Sequence, residues 1–463
     1  MTGNLFKSAS SFALVAVAGL MAGGVAARAA DLGGNCCADL EERVAELEST
    51  TARKGNRKVK LTVSGHINEA VLFWDDGRET NAYVVSNNNS RTRFRFVGDA
   101  KINADWSAGY LLEFGLRYAD SRTRTQSSAS GSSVVASNAA NVIDIRHSAW
   151  YLDSKTFGRV WVGNTSTAAD SITQIKLSNN INLENDPTFQ SGGFFLRNAN
   201  GTLASATRAN LKSGSLNGNV GEGDRANTVK YVAPVFAGFT FSAAWGSDDQ
   251  WDVALRYAGE FSGFRLAGGV GYQEIYTSFG AGNGGCTNAG PGGVVSATES
   301  TSDCNTIGLS ASILHVKTGL FVNGSWGRLQ DNNRRNLNAT ARNEDSHWFI
   351  QGGIEQNWFG FGKTTLHGQY INSDTGASIF NGARVAATGL TGAGAGTFLA
   401  GAQGNEFGFG VTQEISAAAM DIYVNYLHSD IDVQYSVGGG RTGAVDANIR
   451  SFDSVIAGAI IRF

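Results

Sequence analysis

Alternation of apolar and polar residues runs from Val59 to the last residue, Phe463, and no stretch after residue 30 offers the roughly 18 uninterrupted apolar positions of a membrane helix. A period of two means that every segment presents two different faces. In "KVKLTVSGHINEAVLFW", Val59, Leu61, Val63, Gly65, Ile67, Val71 and Phe73 alternate with Lys60, Thr62, Ser64, His66 and Asn68. In "SRTRFRFVGDAKI", Thr92, Phe94, Phe96, Gly98, Ala100 and Ile102 oppose Arg91, Arg93, Arg95, Asp99 and Lys101. The closing "DSVIAGAIIRF" places Val455, Ala457, Ala459, Ile461 and Phe463 on one wholly apolar face. Such a chain is all-β, and two architectures accommodate it: a large soluble sandwich, or a membrane barrel whose strands carry half the usual apolar signal because alternate residues face a lumen.

Aromatic placement and loop length separate the two. "WSAGYLLEFGLRY" carries Trp106, Tyr110, Leu112, Phe114, Leu116 and Tyr118 on one face, aromatics towards the ends and aliphatics between, as a lipid band with two aromatic girdles requires. Alternating segments fall near 58–74, 82–102, 106–120, 142–153, 157–164, 227–234, 239–247, 250–258, 263–276, 305–315, 319–329, 345–357, 361–373, 404–416, 419–434 and 450–463, about 16 in all, an even number as bacterial barrels show. Turns at Asn103–Asp105, Ser154–Thr156 and Pro234–Gly238 are tight, whereas connections near 121–141, 277–304, 374–403 and 435–449 are long and rich in small residues. A barrel segregates short periplasmic turns from long external loops, and a sandwich has no reason to. The expected fold is a transmembrane antiparallel β-barrel over residues 58–463. One connection, about 164–226, far exceeds ordinary loop length and carries Asp170, Glu184 and Asp186; folded into the lumen it would narrow a channel.

The N-terminus reads as a secretory signal over residues 1–29: Lys7, an apolar stretch, then Ala27-Arg28-Ala29 as a small-residue cleavage site. A lipidated Cys36 is the alternative, against which Asn35 stands where a small residue should precede the cysteine. Residues 30–57 hold a short coiled-coil helix, with Cys37, Leu40, Val44, Leu47 and Thr51 at seam spacing, followed by a basic hinge of Arg53, Lys54, Arg57 and Lys58. Under three heptads cannot stand alone, so the helix either packs on the barrel or gathers with copies of itself; the second is favoured. Cys286 and Cys304 flank an external loop in an oxidising compartment and are expected to form a disulfide. Adjacent Cys36 and Cys37 cannot easily pair with each other.

"DRANTVKYVAPVFAGFTFSAAWG" (Asp224 to Gly246), "GRVWVGNTSTAADSI" (Gly158 to Ile172) and the terminal Phe463 resemble the trimeric porins of Gram-negative outer membranes. The seam helix followed by "GNRKVKLTVSGHINEAVLFWDDG" is similar to the alphaproteobacterial branch in particular. The resemblance spans nearly the whole mature chain. It implies a homotrimer of sixteen-stranded barrels, each with its own water-filled pore, and a third external loop folded inward so that its carboxylates face a basic wall. Here the matching loop begins at Asn164, with Asp170 where the motif enters the constriction and Glu184 and Asp186 further on. Parity offers Arg91, Arg93 and Arg95 for the wall, while Lys60 and Lys101 would be vestibule charges. Glu113, Arg117, Asp144, Arg146 and Arg159 share the inward parity and in part neutralise neighbours. By resemblance, Phe463 is also the terminal signature read by barrel-assembly machinery.

Catalytic chemistry is not indicated. Six histidines are scattered without metal-ligand spacing, no GxSxG, HExxH or paired CxxC occurs, and "GAGAG" at Gly392–Gly396 lacks the strand-to-helix setting of a phosphate loop. No cofactor, catalytic residue or metal site is expected, and a net charge of -3 without basic tracts gives no hint of nucleic acid. The expected function is a general-diffusion channel for small hydrophilic solutes and ions, set among outer-membrane lipid and lipopolysaccharide. A sugar-selective channel would call for an aromatic slide, for which Trp74, Trp150 and Trp161 are inward by parity without forming a ladder. A plugged structural or adhesive barrel is the alternative from a different class.

Overall fold

The computed structural model describes residues 58–128, 143–180, 188–207, 220–246, 250–276, 286, 303–337, 342–376, 379–380, 383–384, 387, 389–437 and 442–463. The signal segment, the seam helix with Cys36 and Cys37, and Glu184 and Asp186 lie outside the described residues.

In chain order the strands are β1 (Lys60–Asp75), β2 (Thr80–Ser86), β3 (Arg93–Lys101), β4 (Trp106–Leu116), β5 (Ile143–Ser154), β6 (Gly158–Ser166), β7 (Phe195–Arg197) and β8 (Leu203–Thr207). They continue as β9 (Arg225–Val232), β10 (Phe239–Gly246), β11 (Trp251–Phe261), β12 (Phe264–Ile275), β13 (Cys304–His315), β14 (Leu320–Asp331), β15 (Glu344–Gln356) and β16 (Thr364–Thr375). The last are β17 (Ile379–Phe380), β18 (Ala383–Arg384), β19 (Thr397–Ile415), β20 (Met420–Val437), β21 (Val445–Ala447) and β22 (Phe452–Arg462). Sixteen of them, joined antiparallel neighbour to neighbour, close a ring in which β22 pairs with β1 from His66↔Arg462 to Asp75↔Asp453. β2 and β21 are short flaps on the ring, paired to the upper parts of β1 and β20.

Closure is completed by the last residue. Phe463 exchanges both backbone bonds with Gly65, at 3.0 and 3.1 Å, so the seam is hydrogen-bonded to its very end. Short turns gather at this end of the barrel. Ser262 and Gly263, both with positive φ, make a two-residue hairpin between β11 and β12, the twist-matched turn in which glycine carries the left-handed position without strain. Outward side chains near this rim are aromatic, among them Phe157, Phe236, Phe261 and Phe463, and those at mid-height, such as Leu255, Val270 and Leu309, are aliphatic. At the opposite, long-loop end a disulfide joins Cys286 to Cys304.

Two local features depart from simple alternation. The segment expected as one strand over 82–102 is broken: β1 pairs with β2 above and with β3 below, and Asn88–Ser90 form a one-turn 3-10 helix between them. Asn87 caps that turn, its side chain accepting from Asn89 N at 3.1 Å, and the run of three asparagines and a serine has little to gain from a strand. Arg91 therefore sits in the break and not at mid-strand. On β5 the register against β4 shifts between Glu113 and Phe114, so Arg146 and His147 both lie on the inner side of the bulge. Trp150, expected inside, is on the outer face and 54% exposed.

The seam carries a buried polar knot under the break. Tyr423 donates its hydroxyl hydrogen to Asn68 Oδ1 at 2.6 Å and accepts from Asn87 Nδ2 at 3.0 Å, tying β1, β20 and the broken segment together. Tyr423→Phe leaves both asparagine groups without that hydroxyl and should cost about 1–3 kcal/mol. Thermal unfolding of the purified protein checks this, and an unchanged midpoint would mean that the knot does not stabilise the seam.

Candidate functional site

The long connection after β6 enters the barrel at once. Its first residues lie along the inner wall and are pinned there by side chains from three strands, β11, β13 and β15. Ala169 N donates to Asp252 Oδ2 at 2.6 Å, and the Arg256 guanidinium donates to the carbonyls of Ala168 and Asp170, both at 2.8 Å. Ser310 and Ser312 of β13 bond the backbone at Ile172, Ile175 and Leu177. Glu355 accepts from Asn179 N at 2.6 Å, and Gln351 accepts from Asn180 Nδ2 at 2.8 Å. Backbone that belongs to no sheet is tolerated at membrane depth only where it is buried in protein or lines a water-filled cavity, and here the wall's side chains bond the part that is buried.

The returning arm seats on glycine. Gly221 lies over Gly308 and Gly327, inward neighbours on β13 and β14, so closely that a Cβ on either would fall on the carbonyl oxygen of Gly221 or Val220. Gly269 and Gly271 on β12 do the same for the outgoing arm, where a Cβ would stand 2.8 Å from Ile172 and 3.0 Å from Ala169. Four inward glycines thus form a saddle that lets loop backbone approach sheet backbone. Their inward parity was readable in the sequence, but parity alone does not say what approaches.

Between the arms stands Glu222, which accepts from both the backbone N and the hydroxyl of Thr173. Burial pushes its carboxyl up to about 8. Further along, α1 (Thr188–Ser191) and the β7–β8 hairpin climb to the long-loop end. There Phe194 packs on Trp74, ring centroids 5.1 Å apart, and Asn198 bonds Gly389 and Thr391. Arg197 is buried in an ion pair with Asp76 at 2.7 Å.

Across the lumen stands the basic wall. Arg95 and Arg146 each donate to Glu113 at 2.7 Å from their Nε atoms, and Arg93 lies 3.6 Å from the same carboxylate. Arg91 and Arg117 share Asp144, at 3.1 and 3.0 Å. Five arginines are thus held by two carboxylates, and each guanidinium has its direction fixed by a bond that leaves net positive charge towards the lumen. A cavity of about 680 Å³ separates wall from loop; Arg91, Arg93, Arg117 and Arg146 line one side, and Asp170, Ser171, Gln174 and Glu222 the other. Arg95, paired with the buried Glu113, is not among the described residues that line this cavity, and its side chain is 42% exposed. Arg225 and the Asn88–Ser90 turn also line it, and neither was anticipated: the turn exists only because the second strand breaks. Of the expected acidic residues Asp170 lines this cavity, while Glu184 and Asp186 fall outside the described residues. Arg159 stacks over Tyr151 and Trp161 at 4.6 and 5.5 Å, a cluster near the short-turn rim and not a ladder.

Two tests follow from the seat and the buried acid. Gly327→Val drives a side chain into Val220, so the loop must lift and single-channel conductance should rise severalfold; unchanged conductance would detach the loop from pore size. For Glu222 the folded value lies above the ordinary 4.5. The closed loop root keeps a proton that the opened one releases, so its stability is fullest below pH 4.5 and falls as pH rises towards about 8, then levels. Hydrogen exchange at Thr173, corrected for intrinsic rate, should show this slope in the native protein and lose it in Glu222→Gln.

Among described residues no group of three or more metal-ligating side chains occurs, and no helix is long and apolar enough to cross a membrane, which says nothing of strands. Among curated proteins, no relative matches this sequence. Of solved structures, an anion-selective porin from Comamonas acidovorans matches at 14% identity and TM-score 0.51, covering 88% of this chain and 100% of its own. OmpT of Vibrio cholerae, an outer membrane protein, matches at 13% identity and TM-score 0.49, covering 89% of this chain and 99% of its own. Salmonella typhi OmpF matches at 12% and 0.48, covering 88% and 99%. The family model described as Gram-negative porin matches residues 11–430, most of the chain. The chain therefore belongs to the Gram-negative porin family.

Proposed function

We propose that this porin, a passive channel of the outer membrane, is a general-diffusion pore with a weak preference for anions. One observation carries the reading: across a cavity of about 680 Å³, arginines in excess of their carboxylate partners face a loop lined by Asp170, Ser171 and Gln174. Opposed charges in a narrow tube set a transverse field that orders dipolar solutes, and the surplus on the wall sets the sign of the favoured ion. Passage breaks no bond. The family and fold are those of non-enzymatic channels, and the lumen's side chains act by position and charge alone. Arg91, Arg93 and Arg95 form the basic side of the constriction and Asp170 the acidic side, extended by Glu184 and Asp186. A sugar-selective slide is less well supported, since Trp150 lies outside the barrel.

The assembly we favour is a homotrimer. Glu69 stands on the outward face of β1 at membrane height, accepting from Thr92 at 3.0 Å and Tyr118 at 2.8 Å. A carboxyl there is costly against lipid and tolerable against another subunit. Cleavage after residue 29, the seam helix of residues 30–57 gathering in the periplasm, membership of the alphaproteobacterial branch, reading of Phe463 by assembly machinery and contact with lipopolysaccharide complete the proposal.

Planar-bilayer recording tests it. Stepwise conductance insensitive to sugars is expected, and absence of steps would refute an open pore. Replacing Arg91, Arg93 and Arg95 together with glutamate should move the reversal potential towards cations; an unmoved potential would take them out of the constriction.

A further inference from the structure

Glycines on the outer face tell a different story from those of the saddle. Gly352 on β15 and Gly368 on β16 are direct partners in the ladder, flanked in the same row by Val322 and Phe409. A Cβ on Gly352 would meet nothing nearer than 3.6 Å, and one on Gly368 nothing nearer than 3.9 Å. Nothing among the described residues requires glycine at either place, and each glycine weakens the strand that holds it. Together they floor an apolar groove of about 1000 Å³, walled by Val322, Phe409, Ile354 and Leu366.

Depth and charge identify what fits. Gly352 lies four residues before the end of β15 and Gly368 four after the start of β16, both at the short-turn rim. At about 3.3 Å per residue and a tilt near 40°, the floor stands roughly 10 Å above that rim, in the periplasmic half of an apolar band about 25 Å tall. Towards the rim the groove reaches His315, whose ring stacks on Phe264 at 4.7 Å and whose Nδ1 meets the Thr318 hydroxyl at 2.7 Å. Exposed Lys317 follows at the turn. An apolar slot of leaflet depth below which a cation and an imidazole stand matches one kind of molecule: an acyl chain joined to a phosphate.

We propose that this groove binds a phospholipid of the periplasmic leaflet, one acyl chain lying over Gly352 and Gly368 and the phosphate meeting Lys317 and His315. The glycines are then explained by the ligand they admit. The site is separate from the pore, so its occupancy and the channel's conductance are independent readouts.

Native mass spectrometry of the purified protein in detergent, titrated with palmitoyl-oleoyl phosphatidylglycerol, tests the assignment. Wild type should retain lipid at low excess. Gly352→Leu with Gly368→Leu fills the groove and should weaken retention about tenfold; Lys317→Glu should weaken phosphatidylglycerol more than phosphatidylethanolamine. Equal retention by wild type and the leucine double variant would overturn the proposal, as would preferential capture of lipopolysaccharide or a self-association that the leucines abolish. Should the leucine variant fail to fold, Phe409→Ala removes one wall without filling the floor, and undiminished retention there would overturn it equally.

Discussion

No water reaches the hydrocarbon core to pair a free backbone N–H or C=O, and the rest of this molecule follows from that. A sheet in lipid can have no edge, so the final strand must find the first. The reciprocal bonds between Phe463 and Gly65 are where this requirement is met. Once the ring is closed its interior has no continuous apolar core to fill, only local clusters such as that of Leu72, Trp74, Phe194 and Ile456, and much of the inner face is free to be polar. Buried seryl, threonyl, asparaginyl and glutaminyl side chains such as Ser310, Thr412, Asn323 and Gln351 occupy positions that a soluble sandwich would give to valine or leucine.

Inside the lumen a related demand falls on whatever packs against the wall. An irregular loop brings unpaired backbone groups, and where it is pressed on the wall away from lumen water the wall supplies partners: Asp252, Arg256, Ser310 and Glu355 do so for one arm. The glycine saddle brings the second arm within reach. Apolar packing then secures the far end, where Leu196 and Ala204 join Leu390, Leu399 and Val433 in a small core at the external mouth. The loop is therefore held at its root largely by polar contacts, and at its crest by apolar packing together with the Arg197–Asp76 ion pair and the bonds of Asn198.

Much of this was legible because lipid imposes a period of two on every strand. The sixteen segments, the external disulfide and the inward parity of the arginines could be read residue by residue. What was not legible came from departures from that period. Three asparagines and a serine after β2 break the second strand and move Arg91 into a turn; the bulge beside Glu113 places Arg146 and His147 on one side and leaves Trp150 outside. Parity also could not tell which charges pair. Glu113 sits at the centre of three arginines because β3, β4 and β5 are adjacent in space, a fact of register that a single strand does not record.

Glu113 and Glu222 show how one side chain serves opposite ends in one lumen. Glu113 is fully buried, yet Arg93, Arg95 and Arg146 surround it, so its charge is compensated and its work is to aim theirs. An ion pair at 4 Å is worth about 4 kcal/mol at an effective dielectric near 20, enough to hold three long side chains against their rotamer entropy. Glu222 has no guanidinium bonded to it among the described residues; its carboxyl accepts from Thr173, and burial pushes it up towards the neutral form, so it bonds the loop root while adding little charge to the cavity. The acidic side of the pore is therefore weaker than a count of carboxylates suggests, with Asp170 as its charged member among the described residues that line the cavity on the loop's first arm. A surplus on one wall that the other does not match is what gives a passive tube a sign.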